Sequence, residues 1–239
     1  MADADTIREF VIAAHGDFEK VKTILADNED VLDVAHEWRA GQTETALQAA
    51  AHTGSREIAE YLLAQGAKPN TVVYAMLGDA KHFFLMLAKD QKNIYEIGAH
   101  DLSLMYHAAI GGNIDIIEQI FMVCDPSELG NGIIAAVTFG NANAVKWFVA
   151  NRAPLQTKDF RGRTPLMIAV EQENDEIVTF LKQAIGESNL EACESCGALG
   201  MKYLANVKGS LMGVHIKQFD CKNCGAVMAV EQGGQPQAN

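Results

Sequence analysis

One arrangement of residues recurs three times along this chain: TALQAAAHTGSREIAEYLLAQGAKPN from Thr45, SLMYHAAIGGNIDIIEQIF from Ser103 and TPLMIAVEQENDEIVTFL from Thr164. Each copy opens on a hydroxyl residue that can cap a helix N-terminus, runs through small and apolar residues to a stop, and restarts as a second amphipathic run. A module of two short helices cannot bury its own apolar face. Copies of it must therefore stack on one another, and the chain is expected to form a solenoid of helix pairs.

The residue that stops the first helix sets the ruler. It falls at Gly16, Gly54, Gly78, Gly112 and Gly140, and Glu173 stands in its place in the last copy, giving intervals of 38, 24, 34, 28 and 33 residues. In the second unit Thr45 caps, Ala49, Ala50 and Ala51 make a slim face for close helix approach, Gly54 supplies the left-handed stop, and Ile58, Leu62 and Leu63 form the stripe of the next helix. Thr164 and Pro165 repeat the start signal, because proline suits the first helical position, and Ile177, Phe180 and Leu181 follow as the stripe. Less regular units place Val21 and Ile24, then Phe83, Phe84 and Leu87, then Val145, Phe148 and Val149 on the buried side. The short intervals imply trimmed connecting hairpins.

With its period of about 33 residues and two helices per unit, this pattern resembles the ankyrin repeat. The resemblance implies an array of about six units over residues 5–186, in a chain that is α+β but mainly α. It also implies that partners meet the hairpin tips and the two residues before each stop. Carried onto this sequence, those positions are His52 and Thr53, Met76 and Leu77, Thr138 and Phe139, and Glu171 and Gln172, with Gln42, Glu44, Phe160, Arg161 and Arg163 near hairpin tips. Met76, Leu77 and Phe139 read either as an apolar binding stripe or as core.

After Gly186 the repeat stops, and residues 187–232 carry CESCG at Cys193 and Cys196 and CKNCG at Cys221 and Cys224, with 24 residues between the pairs. Two such knuckles bring four thiolates onto one ion, which is the signature of a small β zinc ribbon. Met201 to Lys208, Val214 to Phe219 and Ala226 to Val230 have strand composition. One structural Zn2+ is the expected cofactor; disulfides and a rubredoxin-like iron site are the rival readings of the same cysteines. Four thiolates leave no open coordination position for catalysis. Lys202, Lys208, His215, Lys217 and Lys222 face only Asp220 in charge between and around the knuckles, which supports an alternative in which the ribbon contacts RNA or DNA while the repeats recruit a protein. Residues 233–239, with Glu231 and Gln232 before them, have the composition of a disordered tail.

Composition narrows the function. A formal charge of -12 and a pI of about 5.0 disfavour a nucleic-acid platform spread over the whole molecule. The most apolar stretch, from Gly132 to Ala150, is interrupted by Gly140, Asn141, Asn143 and Lys146, and the acidic start MADADTIREF lacks a signal-like run, so a cytoplasmic protein without membrane contact is expected. The seven histidines, at 15, 36, 52, 82, 100, 107 and 215, are scattered, and no HExxH, GxSxG or phosphate-cradling loop occurs. His15 and His52, just before their stops, read as carbonyl caps or solvent-facing groups. Cys124 reads as a small buried side chain, and Gly111-Gly112 as a helix stop. The function expected is that of a protein-binding adaptor or scaffold, not an enzyme, whose partner is another protein.

Overall fold

The computed structural model describes residues 2–188, 202–208, 215–220 and 227–232. The chain divides into two compact units, Met1–Val178 and Thr179–Asn239.

The first unit is built from helices in consecutive pairs: α1 (Ala4–Ala13) and α2 (Phe18–Asp27), α3 (Ala46–His52) and α4 (Arg56–Ala64), α5 (Thr71–Leu77) and α6 (Ala80–Lys89), α7 (Leu104–Gly111) and α8 (Ile114–Phe121), α9 (Glu128–Thr138) and α10 (Ala142–Ala150), and α11 (Pro165–Glu171) with α12 (Asp175–Ser188), in which the division falls. The first helices pack in series, α1 on α3, α3 on α5, α5 on α7, α7 on α9 and α9 on α11, while α2 packs on α4, α6 on α8 and α8 on α10. Small residues make the inner series possible. Ala49, Ala50, Ala51, Ala75, Ala108, Ala109, Ala135 and Ala136 are all fully buried, and larger side chains (Phe10, Leu62, Phe83, Ile116, Ile117, Ile120, Phe148) fill the space between the layers.

Local chemistry fixes where each pair starts and turns. Thr45 closes a capping box with Gln48, while Asn70, Ser103 and Thr164 each accept a backbone N–H of their helix, with Pro165 at the first position of α11. Gly54, Gly78, Gly112 and Gly140 have φ between 64° and 71°, and Glu173 adopts φ 55° in the same role, as the ruler requires. Gly16 departs from it: its φ is not positive, so α1 turns into α2 without a left-handed residue.

The residue after each stop caps the second helix or ties it to the preceding unit, and Asn113 does both. Asp17, Asp79, Asn113 and Asn174 cap their second helices through the side chain. Ser55 donates its hydroxyl to the carbonyl of His15, Asn113 donates to Gly78, and Asn141 donates to both Ala109 (2.9 Å) and Ile110 (2.6 Å) in the preceding unit. Replacing Asn141 with alanine removes the donor shared by two carbonyls at the end of α7. A loss of about 2 kcal/mol is expected, read as a lower denaturation midpoint at unchanged slope.

Connections vary as the intervals imply. Residues 65–70 and 122–127 are short links, whereas a finger precedes α3: β1 (His36–Arg39) pairs antiparallel with β2 (Gln42–Glu44), matching His36 to Glu44, with an irregularity between Glu37 and Arg39 that makes Trp38 the extra residue. Before α7 the finger is a short 3-10 segment, Gln91–Tyr95, and a tight turn at Ala99–Asp101 in which His100 and Asp101 have positive φ, and before α11 it is a turn pinned by Asp159.

Three expectations about burial are corrected. Phe84 is exposed although Phe83 beside it is buried; Leu25, not Ile24, is the buried partner of Val21; and Cys124 is only half-buried. The first two follow from rotation of a short helix, where one residue of offset moves a side chain about 100° around the axis, while Cys124 lies past the end of α8 in the link to α9.

The second unit contains a sheet of β3 (Lys202–Lys208), β4 (His215–Asp220) and β5 (Val227–Gln232), antiparallel in the order β3-β4-β5. Its register sets Lys202 opposite Asp220, Lys208 opposite His215 and Asp220 opposite Val227. Cys193, Cys196, Cys221, Cys224, Lys222 and the tail 233–239 lie outside the described residues.

Candidate functional site

The positions proposed for partner binding separate by environment. Met76 belongs to the core, because α5 is packed between α3 and α7, while Leu77, Thr53 and Thr138 are half-buried. Thr53 and Thr138 spend their hydroxyls on carbonyls one turn back, Ala49 and Ile134. Phe139 is also half-buried, and its ring occupies the space a Cβ at Gly54 would need, against Ile110. It is a packing residue of the array.

The surface around α11 is different. Phe160 is 91% exposed, and Met167 and Val170, three residues apart on one face of α11, are 49% and 52% exposed. Arg161 lies over the Phe160 ring at 5.2 Å. Arg163 is committed to structure: its guanidinium donates to Asp159 at 2.8 and 2.7 Å and to Glu171 at 2.6 Å. Glu171 and Gln172 are exposed, Gln172 donating to the carbonyl of Thr138.

At the other end of the array the fold gathers groups that the sequence scatters. Glu44, the last residue of β2, is a hairpin residue by position but only 1% exposed. The bulged Trp38 turns its indole N–H onto Glu44 Oε2 at 2.7 Å. His52, at the end of α3, sets Nε2 2.8 Å from Glu44 Oε1; His15, beyond α1, sets Nε2 3.8 Å from Oε2; and His100, from the finger before α7, sets Nε2 3.6 Å from Oε1. The Nε2 atoms of His15 and His52 are themselves 3.2 Å apart. The reading of His15 as a carbonyl cap holds for half its ring, since Nδ1 donates to the carbonyl of Val11 at 2.9 Å, and this leaves the Nε2 lone pair aimed into the cluster.

Electrostatics reinforce the geometry. Burial works to raise the Glu44 carboxyl, but the close His52 ring, the Trp38 N–H and the charge that His52 and His15 can carry outweigh it, so the group sits below the usual carboxylate range. His107, fully buried in α7, donates Nδ1–H to the carbonyl of Ser103 at 2.8 Å. Its ring supports the finger that carries His100, filling the space where a side chain at Gly98 would stand. Cys124 offers no nucleophile: burial, with Glu128 and Asp125 nearby, pushes its thiol up to about 11.

Comparison with known proteins agrees with the architecture. The family model described as Ankyrin repeats (3 copies) matches residues 104–192, and a single Ankyrin repeat matches residues 43–72. Ankyrin repeats are thus present in this chain. The helix pair α1–α2 and, past the first two residues of α5, the pair α5–α6 lie outside the matched ranges, where a positive-φ stop is missing or a hairpin is trimmed. No curated protein shows a significant match. Among the described residues no helix is long and apolar enough to cross a membrane.

Proposed function

We propose that this chain is a protein-binding adaptor whose ankyrin repeats hold a partner, with the knuckle cysteines Cys193, Cys196, Cys221 and Cys224 building a structural zinc ribbon as a second interaction module. Ankyrin repeats mediate protein–protein interaction in general, and the observation that carries the reading here is the exposed apolar trio Phe160, Met167 and Val170 beside Arg161. An aromatic with a cation over its face and two flexible aliphatics have the chemistry of an interface hot spot. These side chains stand on the exposed side of α11 and its preceding turn, so their loss and the loss of the fold are separable.

Serine at Phe160, Met167 and Val170 together is expected to leave the melting temperature within about 2 °C of the parent while partner capture from native extract falls about tenfold or more. Undiminished capture by the folded variant would move the partner surface elsewhere.

A further inference from the structure

We infer that His15, Glu44, His52 and His100 form a binding site for one divalent transition-metal ion of the zinc type, separate from the cysteine knuckles. One atom from each residue can be chosen so that all four lie within 4.8 Å of one another. Zinc bound to imidazole nitrogen and carboxylate oxygen at about 2.1 Å in a tetrahedron needs ligand atoms separated by about 3.4 Å. The shorter separations, 2.8 and 3.6 Å from His52 and His100 to Glu44 Oε1 and 3.2 Å between His15 and His52, bracket that edge length, with His15 3.8 Å from the other oxygen, Oε2, and the widest pair within 4.8 Å.

Two further observations point to a cation. The first is Glu44: a carboxylate almost wholly removed from water whose Oε1 has no hydrogen-bond donor in good alignment, although the His52 and His100 ring nitrogens stand 2.8 and 3.6 Å from it. A buried charge left in this state is costly, and of the two ring nitrogens 3.2 Å apart at least one must present a lone pair to the other. A single divalent ion accepts both lone pairs and the carboxylate at once. The second is the backbone of His100, which with Asp101 stands at φ 57° and 58°, two successive left-handed residues without glycine. Such conformations persist where the surroundings dictate them, and here they deliver a half-exposed ring to Glu44.

Outer contacts are of the kind metal sites use. The Val11 carbonyl fixes the His15 tautomer, and the Trp38 indole orients the carboxylate. Three imidazoles and one carboxylate suit zinc or a neighbouring first-row divalent ion and disfavour calcium or magnesium, which take oxygen ligands. The ligands come from the end of α1, the finger and end of α3, and the finger before α7, so one ion clasps segments from three repeats.

Full-length protein stripped with chelator and dialysed against Zn2+ tests the assignment by elemental analysis. His100→Asn removes a half-exposed ligand while keeping a residue that tolerates positive φ, and Glu44→Gln removes the anion. Each variant is expected to hold one ion fewer per chain than the parent, with helical circular dichroism retained in His100→Asn even if Glu44→Gln unfolds. Reloading with Co2+ separates this site from the cysteines: His100→Asn loses the ligand-field absorption of a nitrogen- and oxygen-ligated ion while any thiolate charge-transfer band in the near ultraviolet, with the visible bands that accompany it, is unchanged. Equal metal content in the parent and folded His100→Asn, or a loss confined to the thiolate band, overturns the assignment.

Discussion

Alanine at Gly111 is expected to destabilise the array by about 3 kcal/mol, lowering the melting temperature by roughly 6–12 °C. Gly111 ends α7 where that helix passes the end of α5. A Cβ built on it overlaps the carbonyl oxygen of Ala75 and lies 2.8 Å from the backbone nitrogen of Gly78 and 2.9 Å from the carbonyl oxygen of Met76. All three neighbours are backbone, so no rotamer change relieves the clash and α5 and α7 must separate. The same approach allows Asn113 to reach the Gly78 carbonyl at 3.1 Å, so that hydrogen bond weakens with it. Gly16→Ala is the matched control: nothing lies within 4 Å of its Cβ position and its φ is not positive, so a change within about 0.5 kcal/mol is expected. Thermal melts followed by helical circular dichroism distinguish the two. Equal behaviour would mean that close contact between these helix ends does not govern stability.

Much of the architecture was legible because the signals are local. Caps at Thr45, Ser103 and Thr164, and the substitution of Glu173 for glycine at φ 55°, all follow from what a few adjacent residues can do. The limits are equally physical. Gly111-Gly112 reads correctly as a helix stop, but only Gly112 is left-handed; Gly111 is required by a neighbour in another repeat, which no local pattern reveals. Met76 appears as a candidate binding residue by its place before Gly78, yet the short link before α5 draws that helix wholly between its neighbours.

The histidine and glutamate cluster escaped for the same reason. His15, His52 and His100 are far apart in sequence, and the individual rings have ordinary local explanations. A signal did exist in repeat register: His15 and His52 both fall within two residues before a stop, which places them side by side once α1 packs on α3. Stacking converts a period of tens of residues into a few ångströms. Glu44 became part of the site because the bulge at Trp38 and the pairing of His36 with Glu44 turn the end of the finger inward, not because of any feature of its immediate neighbours.

The second large effect expected is an acid transition governed by His107. Burial dominates its titration, lowering its pKa from the usual 6.5 to about 4; the bond to Ser103 opposes the shift, and charge on His52 adds to it. The unfolded chain then binds a proton that the folded chain refuses throughout the interval between those values. Stability associated with the neutral ring is therefore complete above about pH 6.5 and lost as pH falls toward 4, an effect on the order of 3 kcal/mol. Glu44 acts in a lower window, because a carboxyl held below its ordinary range loses its contribution only as pH falls through that lowered value. Denaturant midpoints measured from pH 7 to pH 4 are expected to fall steeply in the parent. They should fall less in His107→Met, which gives up the Ser103 bond at every pH but has no buried ring to charge. Parallel curves for the two proteins would show that His107 is solvated in the folded chain and that the packing of α7 against the His100 finger is looser than its contacts indicate.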